Sequence, residues 1–239
     1  MSTITIRPET PADYRAVEVL TREAFWNQYV PGCDEHYFVH CMRDHPDFLP
    51  ELALVLELDG EIIGNIMYTK SRLTADDGSE KETLTFGPVS IHPAHQRRGY
   101  GKMLIEASFE LALSLGYDTV VIFGNPGNYV SRGFVSGKRR NVCVSTVTPD
   151  GTQGVRFPTA LLVKELLPGA LDAESERSEK SGTGGQSGKL WYFQESTAGE
   201  CCADTEAVAA FDRSFPAKEK HWQASQEEFY IYSHSSVTR

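Results

Sequence analysis

Residues 84–116, LTFGPVSIHPAHQRRGYGKMLIEASFELALSLG, constrain the fold of this chain more than any other stretch. A strand over 84–91 is stopped by His92-Pro93, because proline offers no backbone donor and restrains the residue before it. Gln96-Arg97-Arg98-Gly99-Tyr100-Gly101 follows. A helix then carries Leu104, Ala107, Leu111 and Leu115 on one stripe, and Gly116 stands where a C-cap glycine belongs. Two glycines at a helix start let the backbone come close to a ligand. The free N–H groups of the first turn and the positive end of the helix dipole favour an anion such as pyrophosphate. Arg97, Arg98 and Lys102 add charge at the same place. The bland alternative is a basic first turn that is merely solvated.

Two common nucleotide motifs do not fit this string. The dinucleotide fingerprint needs a third glycine, and Leu104 stands in its place. A P-loop needs Ser or Thr after the lysine, and Met103 follows Lys102. The fuller pattern is Val89-Ser90-Ile91-His92-Pro93 and then Gln-x-x-Gly-x-Gly opening a long helix. It resembles the acetyl-CoA signature of the GNAT superfamily of N-acetyltransferases. Tyr129-Val130-Ser131-Arg132-Gly133-Phe134 looks like the second landmark of that family, a Tyr four residues before Gly-Phe. The resemblance covers about residues 3–167.

The resemblance implies an α/β fold with a mixed, mostly antiparallel central sheet flanked by helices, and acetyl-CoA as co-substrate. It places the cofactor against the backbone of Val89 and Ile91, the turn and helix start at Gln96, Arg97, Arg98, Gly99, Tyr100, Gly101 and Lys102, and Asn125. Gly87-Pro88 inside the strand belongs at an edge or a bulge. In the GNAT fold such a bulge splays this strand from the next. Backbone groups of Val89 and Ile91 would then bond the pantetheine arm like an added strand, with an N–H near Val89 polarising the thioester carbonyl. The implied reaction is direct attack of a neutral amine on the thioester in a ternary complex. Tyr129 matches the residue that protonates the leaving sulfur, and thiol and phenol pKa values, about 8.5 and 10, are close enough for that transfer.

The acceptor is an amine that the sequence does not name. In GNAT proteins the loop and helix that match residues 26–50 form one wall of the acceptor site. Trp26, Tyr29, Glu35 and His36 are the substrate-binding candidates there; the same aromatics would serve equally well to pack a helix on the sheet. Glu35, His36 and Glu57 are candidates for the general base, and nothing ranks them. Cys33-x-x-His36 with His40 one turn on invites a zinc reading, yet Cys33 precedes the helix and no fourth ligand is evident. No metal is expected. Cys33 would be a nucleophile only with a histidine beside it. A second class of function keeps the same loop: a non-catalytic acyl-CoA-binding sensor or assembly module.

Along the chain, residues 3–7 alternate as a strand. Thr10 with Pro11 opens a helix bearing Tyr14, Val17, Leu20 and Ala24. Asp34 opens a second helix to about Asp44. Strands over 52–58 and 62–72 flank an Asp59-Gly60 hairpin turn, where Gly64 allows close packing. Residues 119–123 read as a buried parallel strand, 128–132 as a short helix, and 133, 141–146 and 158–166 as strand positions, the last closing the sheet. Residues 1–167 read as the acetyltransferase domain and 168–239 as an extension. Within the extension, 172–188 is Glu-, Ser- and Gly-rich and reads as a mobile loop. Beyond it come a strand at 189–194, a helix capped by Asp204, and a last helix opened by a Ser225-Gln226-Glu227-Glu228 capping box. The tail aromatics need a surface, on the core or on a second subunit of a homodimer.

A formal charge of −10 over 239 residues argues against nucleic-acid and anionic-membrane partners. No apolar run approaches the roughly 20 residues of a membrane span, and no basic-plus-apolar leader is visible. Five irregularly spaced cysteines point away from a disulfide framework and toward a reducing cytoplasm.

Overall fold

The computed structural model describes residues 2–147, 151–171 and 189–238. The loop expected at 172–188 lies outside the described residues. The chain forms two compact units, and the strands Glu61–Ala75 and Glu80–Ile91 each have residues in both. The first holds Met1–Lys70, Phe86–Ser114 and Ser196–Tyr230; the second holds Ser71–Thr85, Leu115–Glu195 and Ile231–Arg239.

In the first unit β1 (Ile4–Pro8) pairs antiparallel with β2 (Leu54–Leu58), and β2 with the start of β3 (Glu61–Ala75). The hairpin turn has positive φ at both Asp59 (53°) and Gly60 (86°), the twist a tight hairpin needs. Gly64 sits in a close contact: a Cβ there would meet Ile91 Cδ1 at 2.8 Å and Leu56 Cβ at 3.2 Å. Helices α1 (Tyr14–Phe25) and α2 (Glu35–Met42) follow β1. Val17, Val39, Met42, Ala53, Val55 and Met67 bury together between these helices and the strands.

Helix α1 is enclosed more fully than its apolar stripe predicts. Glu18, Thr21 and Arg22 are buried beside Val17 and Leu20. Charge at such positions is tolerated only when paired. Arg43 meets Glu9 at 2.7 Å and Glu18 at 3.3 Å, and Arg22 Nε donates to Asp212 Oδ1 at 2.7 Å.

In the second unit the strands lie in the order β6-β9-β5-β4-β3-β10-β7-β8. Here β4 is Glu80–Ile91, β5 Thr119–Phe123, β6 Val135–Ser136, β7 Val142–Val147, β8 Gln153–Arg156, β9 Leu161–Glu165 and β10 Trp191–Gln194. The β4–β5 and β10–β7 pairings are parallel; β5–β9, β6–β9, β7–β8 and β10–β3 are antiparallel. The mixed α/β expectation holds. The role given to residues 158–166 needs correcting: β9 is an interior strand between β5 and β6, and its continuous burial at Leu161, Leu162 and Val163 explains why it is so apolar. Strand β10 enters between β3 and β7, with Trp191 and Phe193 in a cluster that includes Leu73, Val121, Val142 and Val163.

Helix α3 (Tyr100–Ser114) buries Leu104, Ile105, Ser108, Phe109 and Ala112. The expected stripe was therefore one position out of phase beyond Leu104: Leu115 is 43% exposed, past the helix end. Gly116 has φ 92°, as a helix-ending glycine should. Helix α4 (Pro126–Tyr129) is a single turn. Helix α5 (Thr205–Asp212) is capped by Asp204, whose Oδ1 accepts from Ala207 N at 2.9 Å. Helix α6 (Ala224–His234) starts one residue before the expected box. Ser225 Oγ donates to Gln28 O at 2.8 Å, and its neighbour Gln226 donates from Nε2 to Asn27 O at 3.0 Å. A tertiary partner thus takes the Ser225 hydroxyl that a capping box would use.

Candidate functional site

The turn before α3 is built as its chemistry predicts. His92 N donates to Ile63 O at 2.8 Å, and a 3-10 turn at Pro93–His95 follows. Gln96 Nε2 donates to Ile91 O at 3.0 Å, so this side chain braces the turn on the end of β4. Arg97 (φ 62°) and Gly99 (φ 91°) both adopt the left-handed conformation. No atom lies within 4 Å of where a Cβ on Gly99 would sit, and one on Gly101 would meet Ile91 Cγ1 at 3.5 Å. The α3 amino end is therefore open, with Arg97, Arg98 and Lys102 exposed around it and Tyr100 and Gly101 half-buried. Lys102 faces Glu106 at 3.6 Å, a solvated pair on one helix face.

On β4, Val89 and Ile91 are half-buried and follow a cis Gly87-Pro88 peptide. The parallel register with β5 is Leu84↔Val120, with Thr85 Oγ1 donating to Val121 O at 2.9 Å.

Asn125 and Tyr129 belong to the second unit. Asn125 caps α4, its Oδ1 accepting from Gly127 N at 2.9 Å. Tyr129 packs edge-on against Phe134 at 5.6 Å. Its ring also covers Gly124, where a Cβ would come within 2.7 Å of the ring. Gly133 (φ 84°) reverses the chain, and the fully buried Phe134 returns its N–H to Tyr129 O at 3.3 Å. The spacing from Tyr129 to Gly133-Phe134 thus has a local reason: the left-handed glycine lets the Phe seat itself under the Tyr ring.

The structure brings Trp26, Tyr29 and His36 together, under a cover that the sequence did not reveal. Residues 196–230 lie over α1 and α2 within the first unit. Trp26 Nε1 donates to Glu219 O at 2.9 Å, and Asn27 Nδ2 donates to the same oxygen at 3.2 Å. Tyr29 packs on Phe229 at 4.7 Å, and His36 packs against Phe211 (5.6 Å) and Phe215 (5.1 Å). Lys218 Nζ donates to Glu23 Oε2 at 2.8 Å and sits 5.5 Å from the Trp26 ring. The signal that pointed here was the excess of tail aromatics; which helices they cover depended on the fold.

The three base candidates separate by environment. Glu57 is spent on Arg7, which donates to its Oε1 at 2.7 and 3.0 Å. His36 is fully buried, and burial takes its imidazole down to about 4. Glu35 is half-buried; desolvation first, and then the neighbouring charge of Asp34, push its carboxyl up to about 8. Of the three residues in the zinc reading, Cys33 and His36 meet at 3.4 Å while His40 turns to Glu18 at 2.9 Å. Among the described residues no group of three or more His, Cys, Asp or Glu is arranged to hold a metal ion. No helix among them is long and apolar enough to cross a membrane. All five cysteines are free thiols.

A cavity of about 500 Å³ opens in the second unit between Glu80, Lys81, Asp118, residues 167–171 and Trp191. None of the candidate residues lines it.

Comparison with known proteins bears on this arrangement. Residues 19–136 match the model of the acetyltransferase (GNAT) family. The Escherichia coli K12 N-acetyltransferase YjhQ, itself uncharacterized, is 27% identical over 85 residues, which are 36% of this chain and 46% of that protein. The chain thus spans about half of YjhQ. It matches E. coli K12 YhbS, another uncharacterized N-acetyltransferase, at 23% identity over 54% of this chain and 72% of YhbS. The crystal structure of E. coli YhbS in complex with CoA superposes with a TM-score of 0.58 at 20% identity, covering 82% of this chain and 92% of that one. The shared fold is that of the GNAT acetyltransferases.

Proposed function

Residues 19–136 belong to the acetyltransferase (GNAT) family, and from that premise we propose that the protein transfers an acetyl group from acetyl-CoA to a primary amine of a small molecule or protein. The observation that carries the reading is the open turn before α3. Its two left-handed residues, its uncovered glycine and its three exposed cations suit a pyrophosphate on the helix amino end. In this reading Arg97, Arg98 and Lys102 supply charge, Gly99, Tyr100 and Gly101 supply backbone, and Gln96 holds the turn on β4. Val89 and Ile91 offer backbone groups to the pantetheine arm. Asn125, which caps α4, is assigned to the cofactor by the family resemblance alone.

The amine attacks the thioester carbon directly, and Tyr129 gives its proton to the departing sulfur. Glu35 takes the proton from the amine, because a carboxyl poised near 8 is an effective base close to neutral pH. Trp26 and Tyr29 form the acceptor wall together with the segment that covers them. Five free thiols suit a reducing compartment.

Release of CoA from acetyl-CoA, measured against a panel of primary amines, tests the proposal. Amine-dependent release is expected. Tight CoA binding with no release for any amine or lysine peptide would favour a binding module instead. Tyr129→Phe should lower kcat by about a hundredfold or more and leave acetyl-CoA affinity unchanged. Unchanged turnover would remove Tyr129 from the mechanism.

A further inference from the structure

The covering segment brings a third residue to the pair Cys33 and His36. Cys33 Sγ lies 3.4 Å from His36 Nδ1. On the other side of the ring, His36 Nε2 lies 3.2 Å from Asp212 Oδ1. Asp212 is the last residue of α5 and is held by Arg22, whose Nε donates to the same oxygen at 2.7 Å. The ring packs against both Phe211 and Phe215, which also touch each other at 5.3 Å. The His36 side chain is wholly buried, while Cys33 keeps partial exposure. Cys33 Sγ also lies 3.9 Å from Arg22 O, as Cys143 Sγ lies 3.3 Å from Trp191 O and Cys202 Sγ 3.9 Å from Asp34 O; among the five cysteines it is the one beside whose sulfur the structure records an imidazole nitrogen.

Thiol, imidazole and carboxylate in line form the arrangement by which nucleophile, base and orienting group cooperate in acyl transfer. We infer that Cys33, His36 and Asp212 form a second acyl-accepting site, which takes an acyl group from a thioester onto Cys33 Sγ in addition to the amine transfer proposed above. The inference rests on that reading only for the identity of the donor, acetyl-CoA.

The step balances without a redox partner. His36 Nδ1 takes the thiol proton as Cys33 Sγ attacks the thioester carbonyl carbon. The bond from that carbon to the donor sulfur breaks, and the departing thiolate recovers the proton from His36. One thioester becomes another, and a free thiol is released. Burial and the carboxylates of Glu35, Asp212 and Asp34 hold the resting thiol protonated, opposed in part by Arg22. Burial keeps the imidazole neutral. The resting pair is therefore thiol and neutral imidazole; both shifts keep the proton on sulfur, so its transfer to His36 is uphill and the adduct forms slowly. Asp212 acts as a positioning residue: its carboxylate stands 3.2 Å from Nε2 without hydrogen-bond geometry, and its charge favours the tautomer that leaves Nδ1 bare toward sulfur.

Intact-mass spectrometry of the full chain after incubation with acetyl-CoA and acid quench, followed by peptide mapping, tests the inference. The expected result is one added acetyl group, mapped to Cys33 and removed by neutral hydroxylamine. His36→Gln should slow its formation by about a hundredfold, the usual worth of a general base. Asp212→Asn keeps an oxygen for the ring and should retain the adduct, whereas Asp212→Ala should lose it. Circular dichroism shows which variants stay folded; a His36→Gln variant that does not fold leaves the wild-type adduct and its mapped position as the deciding measurement. An unmodified Cys33 in wild type overturns the inference, and the three residues then serve only to pin the covering segment. Amine acetylation without a Cys33 adduct removes this site and leaves the proposed function standing. An adduct without transfer to any amine does the reverse.

Discussion

At the scale of single residues, environment separates groups that look alike in the sequence. Glu35 and Glu57 are both glutamates that the sequence offers as general base. Arg7 donates from two nitrogens to Glu57 Oε1, while Glu35 has no cation among the causes acting on it and is pushed up to about 8. The pH dependence follows. The unfolded carboxyl titrates near its ordinary 4.5, so between there and about 8 the folded chain holds the extra proton. Stability is then fully present below 4.5 and is lost as pH rises through about 8. Glu35→Gln should therefore melt higher than wild type at about pH 9 and equally at about pH 4. If Glu35 is also the base, transfer in wild type rises through about pH 8 and the variant loses that rise. A melting difference that is the same at both pH values would remove the buried-acid reading. Such environments were illegible in the sequence, where Glu35, His36 and Glu57 stood unranked.

At the scale of elements, most boundaries were legible because they rest on local chemistry. Proline ends β4 at Ile91, Gly116 ends α3, the Asp59-Gly60 pair turns the hairpin, and Asp204 caps α5. The face of α3 was less legible. Leu111 and Leu115 look as apolar as Leu104, but Phe109, Ala112 and the small, hydrogen-bonded Ser108 face the interior instead. Ser108 Oγ meets Tyr68 Oη at 2.7 Å, so a polar residue earns its buried place through a partner. Leu104→Ala should cost about 2–5 kcal/mol, and Leu115→Ala less than about 0.5 kcal/mol. Chemical denaturation of the two variants checks the contrast. Equal losses would return the stripe to its expected phase.

At the scale of the whole molecule, the tail divides its work between the two units. In the second unit β10 enters between β3 and β7, and in the first the following segment covers α1 and α2. Trp191 fills the cluster with Val142, Leu161 and Leu171, and its backbone pairs with Ala75 and Val142. Trp191→Ala should cost about 3–5 kcal/mol. At about 2–4 °C per kcal/mol for a chain of this size, the melting temperature falls by roughly 6–20 °C. A fall of only a degree or two would mean that β10 is dispensable to its sheet.

The sequence by itself determined what short range can decide: the strand, proline stop, glycine turn and helix at 84–116, the Tyr-to-Gly-Phe spacing, the caps and turns, and through the motif a resemblance to one acetyltransferase family. Each depends on residues within a few positions of one another, where backbone sterics and hydrogen-bond supply act directly. Only the tertiary structure decided which face of α3 is buried, where β10 inserts, what covers Trp26 and Tyr29, and that Asp212 meets the His36 beside Cys33. Those pairings join residues far apart in the chain. They are chosen by the burial of apolar surface and by the need to pair every charge taken with it, and neither can be counted until the chain has closed on itself.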